Sequence, residues 1–212
     1  MEARRLQAQR ARGRVPIEDA WVAIARLEVR FKLILVAQRV EQAAAILHAK
    51  GLRPGMHAAV MLAHHLDHIL TFFAVMRLGA VIVPMNYRLT ADDFVYMANH
   101  SGAKILCVHS DYLELVDRVR GQMTGVKHFI ALEGNRIGWL NYEDLLTGAR
   151  GAPPQPAVAE GDLLAINYTS GTTSKPKGVM ITHRNAWVNS IGVLAHWPMT
   201  PVPSGKPSST CQ

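Results

Sequence analysis

Cysteine is almost missing from this chain: 212 residues hold two, Cys107 and Cys211. One sits in an apolar run and the other near the C-terminus. The pair offers neither a disulfide framework nor metal-ligand spacing, and a cytoplasmic setting is expected. Long apolar runs are missing too. The stretches from Phe31 to Ala37 and from Ala80 to Met85 fall far short of the roughly 18 residues a helix needs to cross a bilayer. No membrane span is expected. Aromatic residues make up only 7% and are scattered, so the basic-and-aromatic pattern of single-strand nucleic-acid binders is not there. Acidic residues are scarce at the start, where Arg4, Arg5, Arg10, Arg12 and Arg14 face Glu2 alone. Much of the formal charge of +7 is therefore local. It reads as a solvated arm rather than a nucleic-acid surface.

Two phosphate-binding fingerprints are also absent. A Walker A loop needs Gly-Lys followed by Ser or Thr, whereas Gly178 is followed by Val179 and Met180. No Gly-x-Gly-x-x-Gly turn follows a strand, which removes the usual dinucleotide signature.

What is present suits one globular core. Hydrophobic residues make up 49% of the chain, and a chain of this length buries roughly 70% of its unfolded surface. Apolar positions between residues 19 and 49 (Ile24, Leu27, Phe31, Ile34, Leu35, Val40, Ala44, Leu47) recur at helical spacing up to Gly51. Beyond it, strands are expected at His57 to Leu62, Ala80 to Met85, Lys104 to His109 and Lys127 to Leu132. Helices are expected at His65 to Leu78, after a Thr90 cap, and from Asp111 to Gln122. A short helix after Asn141 precedes a proline-stiffened connector. Asp162 to Tyr168 and Val179 to Ile181 read as strands, and Thr182 as the cap of a helix running to about His196. Strands alternating with amphipathic helices imply an α/β fold with a mostly parallel sheet. The expected division is a disordered basic arm (1–18), an α/β N-terminal subdomain (19–149), a linker (150–160), a strand-loop-strand-helix unit (161–201) and a disordered tail (202–212).

The sharpest signal is the run from Tyr168 to Val179, Tyr-Thr-Ser-Gly-Thr-Thr-Ser-Lys-Pro-Lys-Gly-Val. Hydroxyls, glycines and lysines in this density suit an anion. Small residues let backbone N-H groups approach closely, and the side chains add donors. A plain solvated hairpin loop is the bland alternative for any four of these residues taken alone.

This run, followed by Ile181-Thr182-His183-Arg184-Asn185, resembles the phosphate-binding loop of the adenylate-forming ligases, a family of acyl-CoA synthetases, luciferases and peptide-synthetase adenylation domains. The segments Phe72 to Val81, Val83 to Thr90 and Ser101 to Lys104 resemble its acyl-CoA synthetase branch, and the likeness spans roughly residues 37 to 201. One departure is Ser174, where the family most often has glycine. A serine forced to positive φ there would cost about 1 kcal/mol.

The resemblance implies that Thr169, Ser170, Gly171, Thr172, Thr173, Ser174, Lys177 and Gly178 wrap the phosphates of ATP, with Thr172 or Thr173 touching magnesium and His183 in possible support. It further implies attack of a carboxylate, in this branch that of a fatty acid, on the α-phosphate, followed by transfer of the acyl group to coenzyme A. The catalytic residues are expected downstream of this chain. Because Val202 to Gln212 departs from the family's continuation, a truncated N-terminal portion, inactive alone, is expected, with a shifted reading frame as one origin. The alternative is a non-catalytic nucleotide- or partner-binding remnant. The trio His64, His65 and His68 has helical spacing, yet no Glu or Cys accompanies it, and it reads as ordinary helix surface rather than a metal site. His100 and His128 read as surface residues at element ends. Nothing in the residues fixes the acid or the oligomeric state.

Overall fold

The computed structural model describes residues 17–61, 66–148, 151–169 and 175–196. Its elements alternate along the chain: α1 (Ile17–Ala49), β1 (His57–Met61), α2 (Leu66–Arg77), β2 (Val81–Met85), α3 (Ala91–His100), β3 (Ile105–Val108), α4 (Leu113–Val119), β4 (His128–Ala131), β5 (Leu140–Asn141), α5 (Tyr142–Gly148), β6 (Leu163–Thr169), β7 (Lys177–Thr182) and α6 (His183–His196). The seven strands form one sheet in the order β5-β4-β3-β1-β2-β6-β7. Every pairing is parallel except β6 with β7. The expected α/β class with a mostly parallel sheet is what the structure has.

Continuous apolar strands force helices onto both faces, because each strand side must leave water. Ala58, Val60, Ile82, Ile105, Cys107 and Ile130 point to one face. There they pack with Ala43, Ala44, Ile46 and Leu47 of α1, Ala74 and Val75 of α2, and Tyr142 and Leu146 of α5. Their alternates Ala59, Met61, Val81, Val83, Leu106, Val108 and Ala131 meet Phe94, Met97 and Ala98 of α3 and Leu113 and Val116 of α4. The period-two side-chain alternation of the strands thus builds two cores from one sheet.

Local chemistry sets several boundaries. Thr90 caps α3 through a reciprocal capping box with Asp93, as its position in the sequence suggested. Thr182 does the same for α6 with Asn185: the Thr182 N-H donates to Oδ1 at 3.0 Å, and the Asn185 N-H returns to Oγ1 at 3.2 Å. Gly79 ends α2 at φ +63°, and a Cβ there would meet Pro156 Cγ at 2.9 Å. The proline-rich connector therefore lies against the helix end. Arg77 extends that junction, bonding Glu41 of α1 at 2.6 Å and the Pro153 carbonyl at 3.2 Å.

The structure corrects the sequence reading in three places. The helix expected from Asp111 to Gln122 is split into a 3-10 turn at Ser110–Tyr112, α4, and a second 3-10 turn at Arg120–Gln122. Gly121 lies in the last of these and lacks the side chain that would favour continuation. β5, only two residues long, has no periodic pattern to announce it. The outermost strand is longer than Val179 to Ile181, running from Lys177 to Thr182. Leu62, residues 1–16, Cys211 and the tail from 202 lie outside the described residues. The strands on either side of the 150–160 connector share the single sheet.

Candidate phosphate-binding site

β6 and β7 form an antiparallel hairpin whose register puts Thr169 opposite Lys177 and Tyr168 opposite Gly178. Thr169 and Lys177 therefore face each other at the mouth of the connection, both exposed. Between them, Ser170, Gly171, Thr172, Thr173 and Ser174 lie outside the described residues. Lys175 is exposed and Pro176 buried, so the chain is anchored before it enters β7. Among the described residues, neither Lys175 nor Lys177 is paired with a carboxylate. The Thr169 hydroxyl and the Lys177 ammonium, on residues paired at one strand end, form a donor set that fits polyphosphate oxygens.

Gly178 has a structural reason beyond backbone approach. A Cβ there would lie 2.9 Å from Ile166 Cγ2 and 3.4 Å from Tyr168 Cζ. The Tyr168 side chain crosses the strand pair over that gap. Its hydroxyl lies 2.7 Å from Nδ1 of His100, at the end of α3. The two rings meet edge to face at 5.8 Å, and His100 stacks on Tyr96 one turn earlier at 5.1 Å. The Lys175 ammonium sits 5.2 Å from the centroid of the Tyr96 ring. An open cleft of about 650 Å³ beside them is lined also by Asp92, Asp93, Asn99 and Gln122. Burial, reinforced by the Tyr96 phenol, pushes the Tyr168 hydroxyl above its ordinary value, so it keeps its proton at neutral pH.

His183 begins α6, and its main-chain N-H donates to the Asp162 carbonyl at 3.1 Å. That is the opposite end of the hairpin from Thr169 and Lys177, so the structure does not bring it to the mouth. His100, which the sequence marks only as a helix-end surface residue, is exposed but bonded to the strand that enters the loop. Its role is invisible in sequence because the partner lies 68 positions away. His64 and His65 lie outside the described residues, and among those described no group of three or more His, Cys, Asp or Glu could hold a metal. Cys107 is buried in β3, which pushes its thiol up to about 12 and leaves it inert as a nucleophile.

A family profile described as "AMP-binding enzyme" matches residues 35–208. This chain belongs to that family. Its curated relatives include a long-chain-fatty-acid–CoA ligase of Thermus thermophilus, 34% identical over 157 residues that cover 74% of this chain and 28% of the relative. A feruloyl-CoA synthase of an Amycolatopsis species is 33% identical over 159 residues, covering 75% of this chain and 30% of that protein. Among solved structures, the anthranilate CoA ligase AuaEII in complex with anthranoyl-AMP superposes with a TM-score of 0.71 at 26% identity, covering 74% of this chain and 31% of the other. ATP-bound MatB from Rhodopseudomonas palustris superposes with a TM-score of 0.67 at 26% identity, over 78% and 32% of the two chains. The chain thus spans roughly three tenths of the length of the ligases it matches. Among the described residues, no helix is long and apolar enough to cross a membrane.

Proposed function

We propose that the β6–β7 hairpin of this AMP-binding family member grips the phosphates of ATP in an acyl-CoA ligase reaction. In that reaction a carboxylate oxygen attacks the α-phosphorus and the bond to pyrophosphate breaks. The sulfur of coenzyme A then takes the acyl carbon, and AMP leaves. Within it this chain's part is electrostatic. Thr169, Gly178 and the intervening Ser170, Gly171, Thr172, Thr173 and Ser174 donate hydrogen bonds while Lys177 offsets charge, and catalysis of this type is mostly positioning. Magnesium, held with ATP through Thr172 or Thr173, would supply further charge to the phosphates. The strand-loop-strand-helix stretch 161–201 is the working unit, set on the scaffold of the preceding sheet.

The observation that carries this reading is the exposed Thr169–Lys177 pair, without an acidic partner among the described residues, at the mouth of a family-matched hairpin. Fatty or aromatic acids fit as the acyl substrate because the matched relatives bear those names. We propose further that these 212 residues bind nucleotide without completing adenylation. That part rests on the exposed apolar side chains of β7 and α6, including Met180 at 66% and Trp187 at 68% exposure, which ask for cover the described residues do not give.

Calorimetric titration with magnesium-ATP tests the reading. The wild-type chain should bind, and Lys177→Ala should weaken binding about tenfold to a hundredfold, the loss expected for one charge-assisted hydrogen bond. Equal affinity in both would remove the lysine's role, and no binding by wild type would remove the proposal. Carboxylate-dependent pyrophosphate exchange by the same chain would refute the proposal that it binds without completing adenylation.

A further inference from the structure

The flanks of the phosphate loop are both attached to one helix. Tyr168 precedes Thr169 and is hydrogen-bonded to His100, while Lys175, which enters β7 through buried Pro176, sits over Tyr96. Tyr96 and His100 lie one turn apart on α3, with their rings stacked at 5.1 Å and 28° between planes. From these contacts we infer that Tyr96 and His100 are positioning residues: α3 holds Tyr168 and Lys175 at a fixed separation and thereby sets the geometry of the neighbouring donors Thr169 and Lys177. The inference rests on the phosphate-binding reading for its consequence, but not for the attachment itself.

The physical argument is one of order. Exposed donors lose conformational freedom when they are brought to bear on an anion. Anchoring Tyr168 beside Thr169, and Lys175 two positions before Lys177, narrows the arrangements of those donors that binding must remove, so affinity rises without any new contact to the ligand. The two pins also reinforce each other. Tyr96 braces the His100 ring that bonds Tyr168, and the same Tyr96 ring receives the Lys175 ammonium, a contact worth a few-fold in an equilibrium at an exposed site. The scaffold below is stiff, since Phe94, Met97 and Ala98 of the same helix are fully buried. Lys175 is therefore a tether as well as a charge, distinct from Lys177, which pairs with Thr169 across the mouth.

The test uses the full chain and two readouts. Hydrogen exchange, followed by mass spectrometry on peptides spanning residues 163–182, is compared between wild type and the double variant His100→Ala with Lys175→Ala. Exchange in that region should accelerate about tenfold, while the α1 and β3 peptides and the melting temperature stay unchanged. Unaltered exchange overturns the inference whether or not the chain binds nucleotide. Magnesium-ATP affinity of the double variant should fall about threefold to tenfold. Substitution His100→Asn, which places a polar atom where Nδ1 sits, should restore most of the His100 share in the Lys175 wild-type background. If wild type binds ATP and the double variant binds equally well, the positioning role fails while the phosphate site stands. If wild type fails to bind, the functional reading falls, and the exchange result alone decides whether α3 tethers the loop.

Discussion

The central strands β1, β2 and β3 and the outer hairpin β6–β7 belong to the same sheet but live in different surroundings. In β1 and β3 nearly every residue is buried. In β6 only Leu164, Ala165 and Ile166 are, and four of the six residues of β7 are exposed. The centre carries the hydrophobic free energy, so its sequence answers to packing. The hairpin, freed from that duty at its outer end, displays hydroxyls and ammonium groups that a core would exclude. It also exposes Val179 and Met180, and α6 beside it exposes Trp187 and Leu194, an apolar surface that nothing among the described residues covers.

Substitutions should separate the two regions. Phe94→Ala, at a fully buried site, should cost about 3–5 kcal/mol in urea unfolding. Lys177→Ala should leave the unfolding midpoint almost unmoved and act on ATP affinity alone, as an exposed side chain with no ion pair among the described residues should. An equal effect of both on stability would erase the contrast. Gly178→Val probes the boundary between the regions. Its side chain meets Ile166 and Tyr168, so a loss of about 1–3 kcal/mol together with weaker ATP binding is expected.

Alkaline pH offers a smaller handle on the buried half. An unfolded Cys107 thiol ionises near 9.0, whereas the buried thiol holds its proton to about 12. The folded value is raised, so stability is complete below pH 9 and falls as pH climbs through that window. The slope should be about 1.4 kcal/mol per pH unit. Urea midpoints measured between pH 9 and 10 should fall less steeply for Cys107→Ala, and an identical slope would contradict the burial. Smallest of all, Trp187→Glu on the exposed face of α6 should change stability by less than about 0.5 kcal/mol. A larger loss in the urea midpoint would mean that this face is covered in solution.

Much of the architecture is legible in sequence because apolar runs, glycine stops and hydroxyl caps are local signals. Thr90 with Asp93 and Thr182 with Asn185 can be read from a few residues, and so can the parallel sheet from its alternating strands and helices. Three features are not local. β5 is too short for periodicity. α1 continues for 33 residues, about 50 Å by helical rise, while Ile34 and Leu35, apolar on the helical pattern, stay half exposed because, among the described residues, it is Ala43, Ala44, Ile46 and Leu47 that join the core against the sheet. His100 and Tyr96 become loop partners only through tertiary contact. The hydroxyl-rich run named the candidate site, whereas the reason for Gly178 and the attachment to α3 needed three dimensions.

The central claim is that nucleotide phosphates bind at the mouth of the β6–β7 hairpin. At 23.3 kDa the isotopically labelled chain suits solution NMR, and magnesium-ATP titration should shift the amide signals of Thr169, Lys177 and Gly178 most. Signals from β4 and β5, at the far edge of the sheet, should stay in place. Shifts concentrated at that far edge, or none at the hairpin mouth under saturating nucleotide, would contradict the account.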